Sequence, residues 1–255
     1  MTNSTPPAAL VTGGSRGIGR AIAERLARRG MVVAVHYARD EIAAKETVTA
    51  IRAGGGEAFA VRADFTETGA VDTLFDALED GLREHTGSTG LDVLVNNAGV
   101  GCSGDAGHMT EADLDRVITV NVKTPVFVVQ RALPLLRAGG RIVNISSAAS
   151  RVAHPQIIGY AISKGALDAF CRSLAKQLGP LGITVNNVAP GLVDTDFHGD
   201  RLRGHPEAAA EAAALTAFGR LGEAADVADI VAFLTSNEGR WITGERLEAT
   251  GGAYL

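Results

Sequence analysis

An α/β doubly wound sheet is the fold this sequence predicts, and three observations carry it. Apolar runs of strand length alternate with longer segments of helical pattern along the chain. The strand runs are nearly continuous in hydrophobicity, which suits parallel strands covered on both faces. Right-handed crossovers wind such repeated βαβ units into one open sheet. The expectation is a mostly or wholly parallel sheet of about seven strands, with helices on both faces.

The elements follow in order. Ala8–Thr12 reads as the first buried strand, and a glycine-rich turn leads from it into a helix over Gly17–Arg29. The valine-rich run Val32–His36 is the second strand, with a helix over Glu41–Ala53 behind it. Ala58–Arg62, a helix over Ala70–Glu84 and Leu91–Val95 repeat the unit, and Glu84–Gly90 is a helix end and loop. One long helix is predicted over Glu111–Leu136, then strand Arg141–Ile145, helix Ile157–Leu178 and strand Ile183–Val188. Helices over Pro206–Thr216 and Ala224–Ser236 precede a last strand, Arg246–Ala249. No linker, low-complexity tract or internal repeat interrupts the series, so residues 1–255 read as a single domain. Residues 190–216 are expected to form a substrate loop or lid within it, because Pro190–His205 is irregular and longer than a plain connection.

Composition excludes several functions. With 46% hydrophobic and 21% charged residues the chain is an ordinary globular protein, neither disordered nor a coiled coil. Its 24 basic and 29 acidic residues give a net charge of −5 without any basic run, so no nucleic-acid partner is expected. Cys102 and Cys171 stand in no CxxC spacing, which favours a reducing cytosol. Met1–Pro7 has neither a basic nor an apolar region, and no run of apolar residues is long enough to span a bilayer. A soluble, cytoplasmic protein with no membrane partner is expected. Zinc and EF-hand spacings are absent, so no metal is expected.

The turn after the first strand is Thr12-Gly13-Gly14-Ser15-Arg16-Gly17-Ile18-Gly19. Glycines permit the tight turn and let a pyrophosphate approach backbone N–H groups at the positive end of a helix. On the first βα turn, this is the phosphate cradle of a Rossmann-like dinucleotide site. The same residues spell G-x-S-x-G, a hydrolase elbow, but too little chain precedes Ser15 to supply the oxyanion-hole strand. About twenty residues past the glycines, where an NAD-selective site carries an acid, stands Tyr37. Arg16 and Arg39 are placed to neutralise a 2′-phosphate, so NADP(H) is preferred, with NAD(H) possible. Asp64 ends the third strand and would either accept the adenine amino group or cap a helix.

Several motifs in one order now resemble a known family: Thr12–Gly19 as TGxxxGxG, Asn96-Asn97-Ala98-Gly99, Ser147, Tyr160-Ala-Ile-Ser-Lys164 as YxxxK, Pro190-Gly191, Trp241–Gly244 and Gly251-Gly252. Together they resemble the short-chain dehydrogenase/reductase family, most nearly its 3-oxoacyl-(acyl-carrier-protein) reductase-like members. From the residues themselves, Tyr160 and Lys164 share one face of a helix, and an ammonium beside a phenol is expected to lower its pKa. Strand alternation lets only one of Ser146 and Ser147 face the site. The resemblance selects Ser147, as the group that hydrogen-bonds a substrate carbonyl, and implies that Asn121 kinks its helix and supports a proton relay to Lys164. It also implies that Asn97, Ala98 and Gly99 line the adenosine ribose, and that the backbone of Val193 and the hydroxyl of Thr195, after Pro190 and Gly191, hold the nicotinamide amide.

Cys102, Ser103, His154, Gln156 and Phe197 flank these motifs and are expected at the substrate pocket, Cys102 as a bystander. The expected function is NADPH-dependent reduction of a ketone or aldehyde, free or carrier-bound, with Tyr160 as proton donor. The alternatives are the oxidative direction and a non-catalytic dinucleotide sensor. Apolar residues such as Val126-Phe127-Val128-Val129 exceed what one helix face needs, and the resemblance implies a homotetramer, or a homodimer.

Overall fold

The computed structural model describes residues 5–197 and 205–253. Its strands are β1 (Ala8–Val11), β2 (Val32–Tyr37), β3 (Glu57–Arg62), β4 (Leu91–Asn96), β5 (Leu136–Ile145), β6 (Thr184–Pro190) and β7 (Arg246–Ala249). The helices are α1 (Gly17–Ala27), α2 (Glu41–Ala53), α3 (Ala70–Thr86), α4 (Glu111–Ile118), α5 (Thr124–Ala132), α6 (Ile158–Leu178), α7 (Pro206–Ala214) and α8 (Ala224–Leu234). The strands form one sheet in the order β3-β2-β1-β4-β5-β6-β7, and every neighbouring pair is parallel. The expected fold class is the observed one.

Burial on both faces explains the unbroken apolar strands. Leu10 packs in a core layer with Leu74, Phe75 and Leu78 of α3 and Leu174 of α6. Val11, one residue on, packs in the opposite layer with Ile22 and Leu26 of α1 and Val231 of α8. Alternate residues therefore serve different layers, and no position can be polar without cost. Asp40 caps α2 by accepting the Ala43 N–H at 3.0 Å, a contact that contributes about 1 kcal/mol.

The single helix expected over Glu111–Leu136 is not one helix. Pro125 has no N–H to give to the carbonyl four residues earlier, and the Thr124 N–H reaches back to the Thr119 carbonyl instead. The result is a π turn over Thr119–Lys123 between α4 and α5. Leu136 belongs to β5, not to the helix. It pairs with Leu91, whereas Arg141 pairs with Val93, so the strand carries extra residues around Gly139 and Gly140 that no apolar run marks.

Strand order reverses at β1, with β2 on one side and β4 on the other, which opens a crevice at the carboxyl ends of the strands. Of the expected lid, residues 198–204 lie outside the described residues, as do residues 1–4 of the N-terminal segment. Among the described residues no helix is long and apolar enough to cross a membrane, and no three His, Cys, Asp or Glu side chains gather to hold a metal.

Candidate active site

The glycine turn and the strand end after β4 are built as one unit. Thr12 Oγ1 accepts the N–H groups of both Asn97 and Ala98 at 3.0 Å. Asn97 Nδ2 returns two bonds of 2.9 Å to the carbonyls of Thr12 and Gly13. Gly13 has φ +62°, a conformation costly to a side chain, and α1 starts so close behind it that a Cβ at Gly19 would lie 2.1 Å from the Gly13 carbonyl oxygen. The turn thus forms a cradle that any Cβ at position 19 would fill, at the positive end of α1, where an anionic pyrophosphate fits.

His36, at the end of β2, holds this turn from behind. The Gly13 N–H donates to its Nδ1 at 2.9 Å, so Nε2 carries the ring hydrogen and gives it to the Ala63 carbonyl at 2.8 Å. Burial pushes the imidazole down from 6.5 to about 4, although the Ala63 bond and the charge of Asp64 oppose the shift. A value lowered on folding means that the neutral ring stabilises the fold fully above pH 6.5 and progressively less as pH falls toward 4. The loss amounts to ~3 kcal/mol. His36→Gln keeps a donor and an acceptor but cannot titrate. Thermal melts taken on either side of that window should show less acid sensitivity in the variant than in the wild type; equal sensitivity would contradict the assignment.

The groups expected to choose the cofactor lie around this turn. Arg16 is exposed at the entrance to α1, Ser15 and Tyr37 are buried, and Ile18 packs on the α1 core layer. Arg39 is not simply a surface cation. Its Nε lies 2.7 Å from Asp64 Oδ2, while the side chain as a whole stays 78% exposed. Asp64 also accepts the side-chain and backbone donors of Thr66, at 2.7 and 3.0 Å. Those bonds and Arg39 hold its carboxyl down at about 2. Asp64 therefore ties the β3 end to Arg39 and to its own turn.

The catalytic candidates converge from β5, α6 and the π turn. Ser146 is buried and donates to Asp168 Oδ1 at 2.8 Å, whereas Ser147 is half-buried, accepts the Ala149 N–H at 3.2 Å and lies close enough to Tyr160 to favour its ionised form. Alternation thus sends Ser147 toward the tyrosine. Lys164 is buried on α6, donates to the Ile145 carbonyl at 2.8 Å, and has its Nζ 5.6 Å from the Tyr160 ring centroid. Asn121 sits in the π turn. Its Oδ1 accepts the Val100 N–H at 2.8 Å, and its Nδ2 donates to Val100 O and to Ser163 Oγ, which in turn donates to the Tyr160 carbonyl. A Cβ at Gly99 would lie 3.4 Å from Asn121 Oδ1 and 3.6 Å from Lys164 Nζ, which places the β4 loop against both.

The expected lowering of the Tyr160 pKa is corrected by the structure. Burial raises the phenol to about 12, and the nearby Ser147 hydroxyl only partly offsets this. Burial also pushes Lys164 down to about 8, against the charge of Asp168. In a low-dielectric site both neutral forms are favoured, and the ammonium points to a backbone carbonyl rather than to the phenol oxygen. Tyr160 is thus held as the protonated acid.

Past β6, Val193 and Thr195 are buried, and a Cβ at Gly17 would lie 3.4 Å from Thr195 Cβ, so this loop returns to the phosphate cradle. Pro190 ends β6, and the Gly191 N–H donates to the Ala249 carbonyl at 3.0 Å. Phe197, 52% exposed, stands with its ring centroid 5.9 Å from that of Tyr160. Gln156 is exposed and its carbonyl accepts the Gly104 N–H, while the His154 carbonyl accepts the Ile157 N–H. Cys102 is buried under this rim, its sulfur packed on Gly159, and burial keeps its thiol pKa raised. A raised value leaves little thiolate at neutral pH.

A family model described as enoyl-(acyl carrier protein) reductase matches residues 13–254. The protein named short chain dehydrogenase/reductase AacuN, of Aspergillus aculeatus, is 40% identical over 272 residues, covering 99% of this chain and 100% of its own. The chain belongs to the short-chain dehydrogenase/reductase family. Solved structures agree. The angucycline C-6 ketoreductase LanV with bound NADP is 49% identical, with a TM-score of 0.92 over 96% of this chain and 95% of its own. The promiscuous reductase LugOII, which catalyses keto-reduction at C1 during lugdunomycin biosynthesis, is 50% identical, with a TM-score of 0.94 over 98% of each chain.

Sequence reasoning about this short-chain dehydrogenase/reductase missed Thr12, His36, Ser163, Asp168 and Arg246 as parts of the site. Thr12 lies inside the glycine motif, and its threonine at a strand end was a usable signal. The others carried none: Ser163 bonds Tyr160 three residues back but takes its Asn121 bond from 42 residues away, and His36, Asp168 and Arg246 act on residues far along the chain.

Proposed function

We propose that this enzyme reduces a ketone to an alcohol with NADPH. One observation carries the reading: Ser147, Tyr160 and Lys164 meet at the carboxyl ends of the strands, beside a turn shaped for a pyrophosphate. Gly13, Ser15, Gly17, Ile18 and Gly19 would receive the phosphates, and Arg16, Tyr37 and Arg39 the 2′-phosphate side. Asn97, Ala98 and Gly99 would line the adenosine ribose. Lys164 would hold the nicotinamide ribose, and Val193 and Thr195 the carboxamide. When bound, NADPH supplies the hydride. Tyr160 gives its proton to the carbonyl oxygen, and Ser147 donates a hydrogen bond to that oxygen as charge develops. Asn121 and Ser163 hold the Tyr160 backbone in place.

The likeness to LanV, an angucycline C-6 ketoreductase, and to LugOII, which catalyses a keto-reduction at C1, supports a ring ketone rather than a carrier-bound 3-oxoacyl chain, and Phe197 beside Tyr160 offers a flat substrate an aromatic wall. A panel of phenanthrenequinone, a tetralone and an acetoacetyl thioester, followed by loss of NADPH absorbance, tests this; turnover of the thioester alone would reverse the ranking. Lys164→Met should weaken NADPH binding about tenfold or more and lower turnover as well, since a charge-assisted bond contributes ~1.5–3 kcal/mol. Unchanged affinity in a fluorescence titration would remove the ribose role. Phe127 on α5 and Ile162 on α6 remain exposed, whereas Val128 and Val129 are in the core, which supports a homotetramer or homodimer burying the former pair. Light scattering decides between them.

A further inference from the structure

One level beneath the site, a polar row crosses the sheet. Asn96, Asn144, Asn187 and Arg246 are register partners on β4, β5, β6 and β7. The three asparagines are buried, and each amide donates to the next group: Asn96 to Asn144 Oδ1 at 2.9 Å, Asn144 to Asn187 Oδ1 at 2.9 Å, and Asn187 to Asp168 Oδ1 at 2.8 Å. A row of amides all donating one way must end on an acceptor, and Asp168, one helical turn past Lys164, supplies it.

That carboxylate is shared with the turn that carries Ser147. Ser146 Oγ donates to its Oδ1 at 2.8 Å, and Ser150 Oγ donates to its Oδ2 at 2.7 Å. Arg246 Nε lies 3.0 Å from the same Oδ2 as an ion pair, and the two side chains are only 6% and 11% exposed. Arg246 then turns a terminal nitrogen onto the Ser147 carbonyl at 2.8 Å and onto Ser150 Oγ at 3.1 Å, with its other one on Glu248. The turn is therefore held at residues 146, 147 and 150 by one ion pair drawn from α6 and β7.

A buried pair of this kind is poorly explained by stability alone, because desolvation of both charges cancels much of their attraction. Its specific product is the placement of one short turn. We propose that Asp168 and Arg246 are positioning residues that clamp the 146–150 turn so that the Ser147 hydroxyl faces Tyr160, an inference that rests on Ser147 being the carbonyl-binding group. The two residues touch no reacting atom; the pair acts through the serine, and Asp168 besides helps Lys164 keep its proton through its charge.

The test uses the full-length enzyme, phenanthrenequinone and NADPH, with Asp168→Asn/Arg246→Met, Ser147→Ala and the triple variant compared. The double variant keeps an acceptor at the end of the amide row and strands no charge, so it should fold with a near-native melting temperature. Its kcat should fall about 10²-fold, the cost of a small misplacement, with the NADPH dissociation constant unchanged within about twofold. Measured at about pH 6, well below the Lys164 value of about 8, so that the lost Asp168 charge does not enter, the triple variant should be about as slow as Ser147→Ala alone. A double variant with wild-type kcat, or losses that multiply in the triple variant, overturns the proposal. Should the double variant not fold, Arg246→Lys retains the charge but offers only one nitrogen to Asp168 and Ser147, and its kcat should fall about tenfold; wild-type kcat there overturns the proposal equally. Full activity in Ser147→Ala would instead overturn the reading beneath it, a result recognisably different from the others.

Discussion

Tyr160→Phe is expected to lower kcat for ketone reduction by about 10²–10⁴-fold, the usual contribution of a positioned general acid. The substitution removes one oxygen and keeps the ring, whose packing beside Phe197 and whose backbone bond from Ser163 are unaffected. NADPH affinity and melting temperature should stay close to wild type, which separates lost chemistry from lost structure. Burial holds the phenol at about 12, so the acid form is present throughout the neutral range. The alkaline limb of the wild-type profile then belongs to Lys164, whose ammonium, pushed down to about 8, is lost first as pH rises. Wild-type turnover in Tyr160→Phe across the carbonyl panel would remove the tyrosine from the mechanism.

Gly19→Ala should cost NADPH affinity about 10²-fold or more and lower the melting temperature. The new methyl would lie 2.1 Å from the Gly13 carbonyl oxygen and 2.5 Å from Asn97 Nδ2. The nearer atom is backbone, so α1 and the turn must move apart. Overpacking of this kind costs ~1–3 kcal/mol, and separation also strains the two bonds from Asn97, each contributing ~1 kcal/mol. Gly165→Ala serves as the control. Nothing lies within 4 Å of its added methyl, so that variant should be slightly stabilised through helix propensity, with cofactor affinity unchanged. Equal NADPH titrations for the two variants would show that the close approach at Gly19 does not shape the cofactor cradle.

Most of the fold was legible because its signals are local. A strand buried on two faces must be apolar at consecutive positions, as Ala8–Val11 is, and the glycines of the turn stand where a side chain does not fit. Tyr160 and Lys164 were legible as a pair because one helical turn separates them. In the residue pattern the break at Thr119–Lys123 was hidden, since the apolar pattern runs through it while Pro125 withdraws a single N–H; only the family resemblance implied a kink there, at Asn121. The start of β5 was hidden for a related reason: Leu136 pairs with Leu91 across a run of glycines and charges that reads as loop.

By itself the sequence determined the order and type of the elements, the parallel sheet, the phosphate turn and the identity of the groups able to move a proton. Only the tertiary structure decided which serine faces the tyrosine, that the phenol is held as an acid, that Arg39 leans on Asp64, and that Arg246 reaches the carbonyl of Ser147, 99 residues away. The division has one cause. Periodicity and turn chemistry act between near neighbours in the chain, whereas burial, charge pairing and the direction of a hydrogen bond depend on partners that meet only once the sheet has closed.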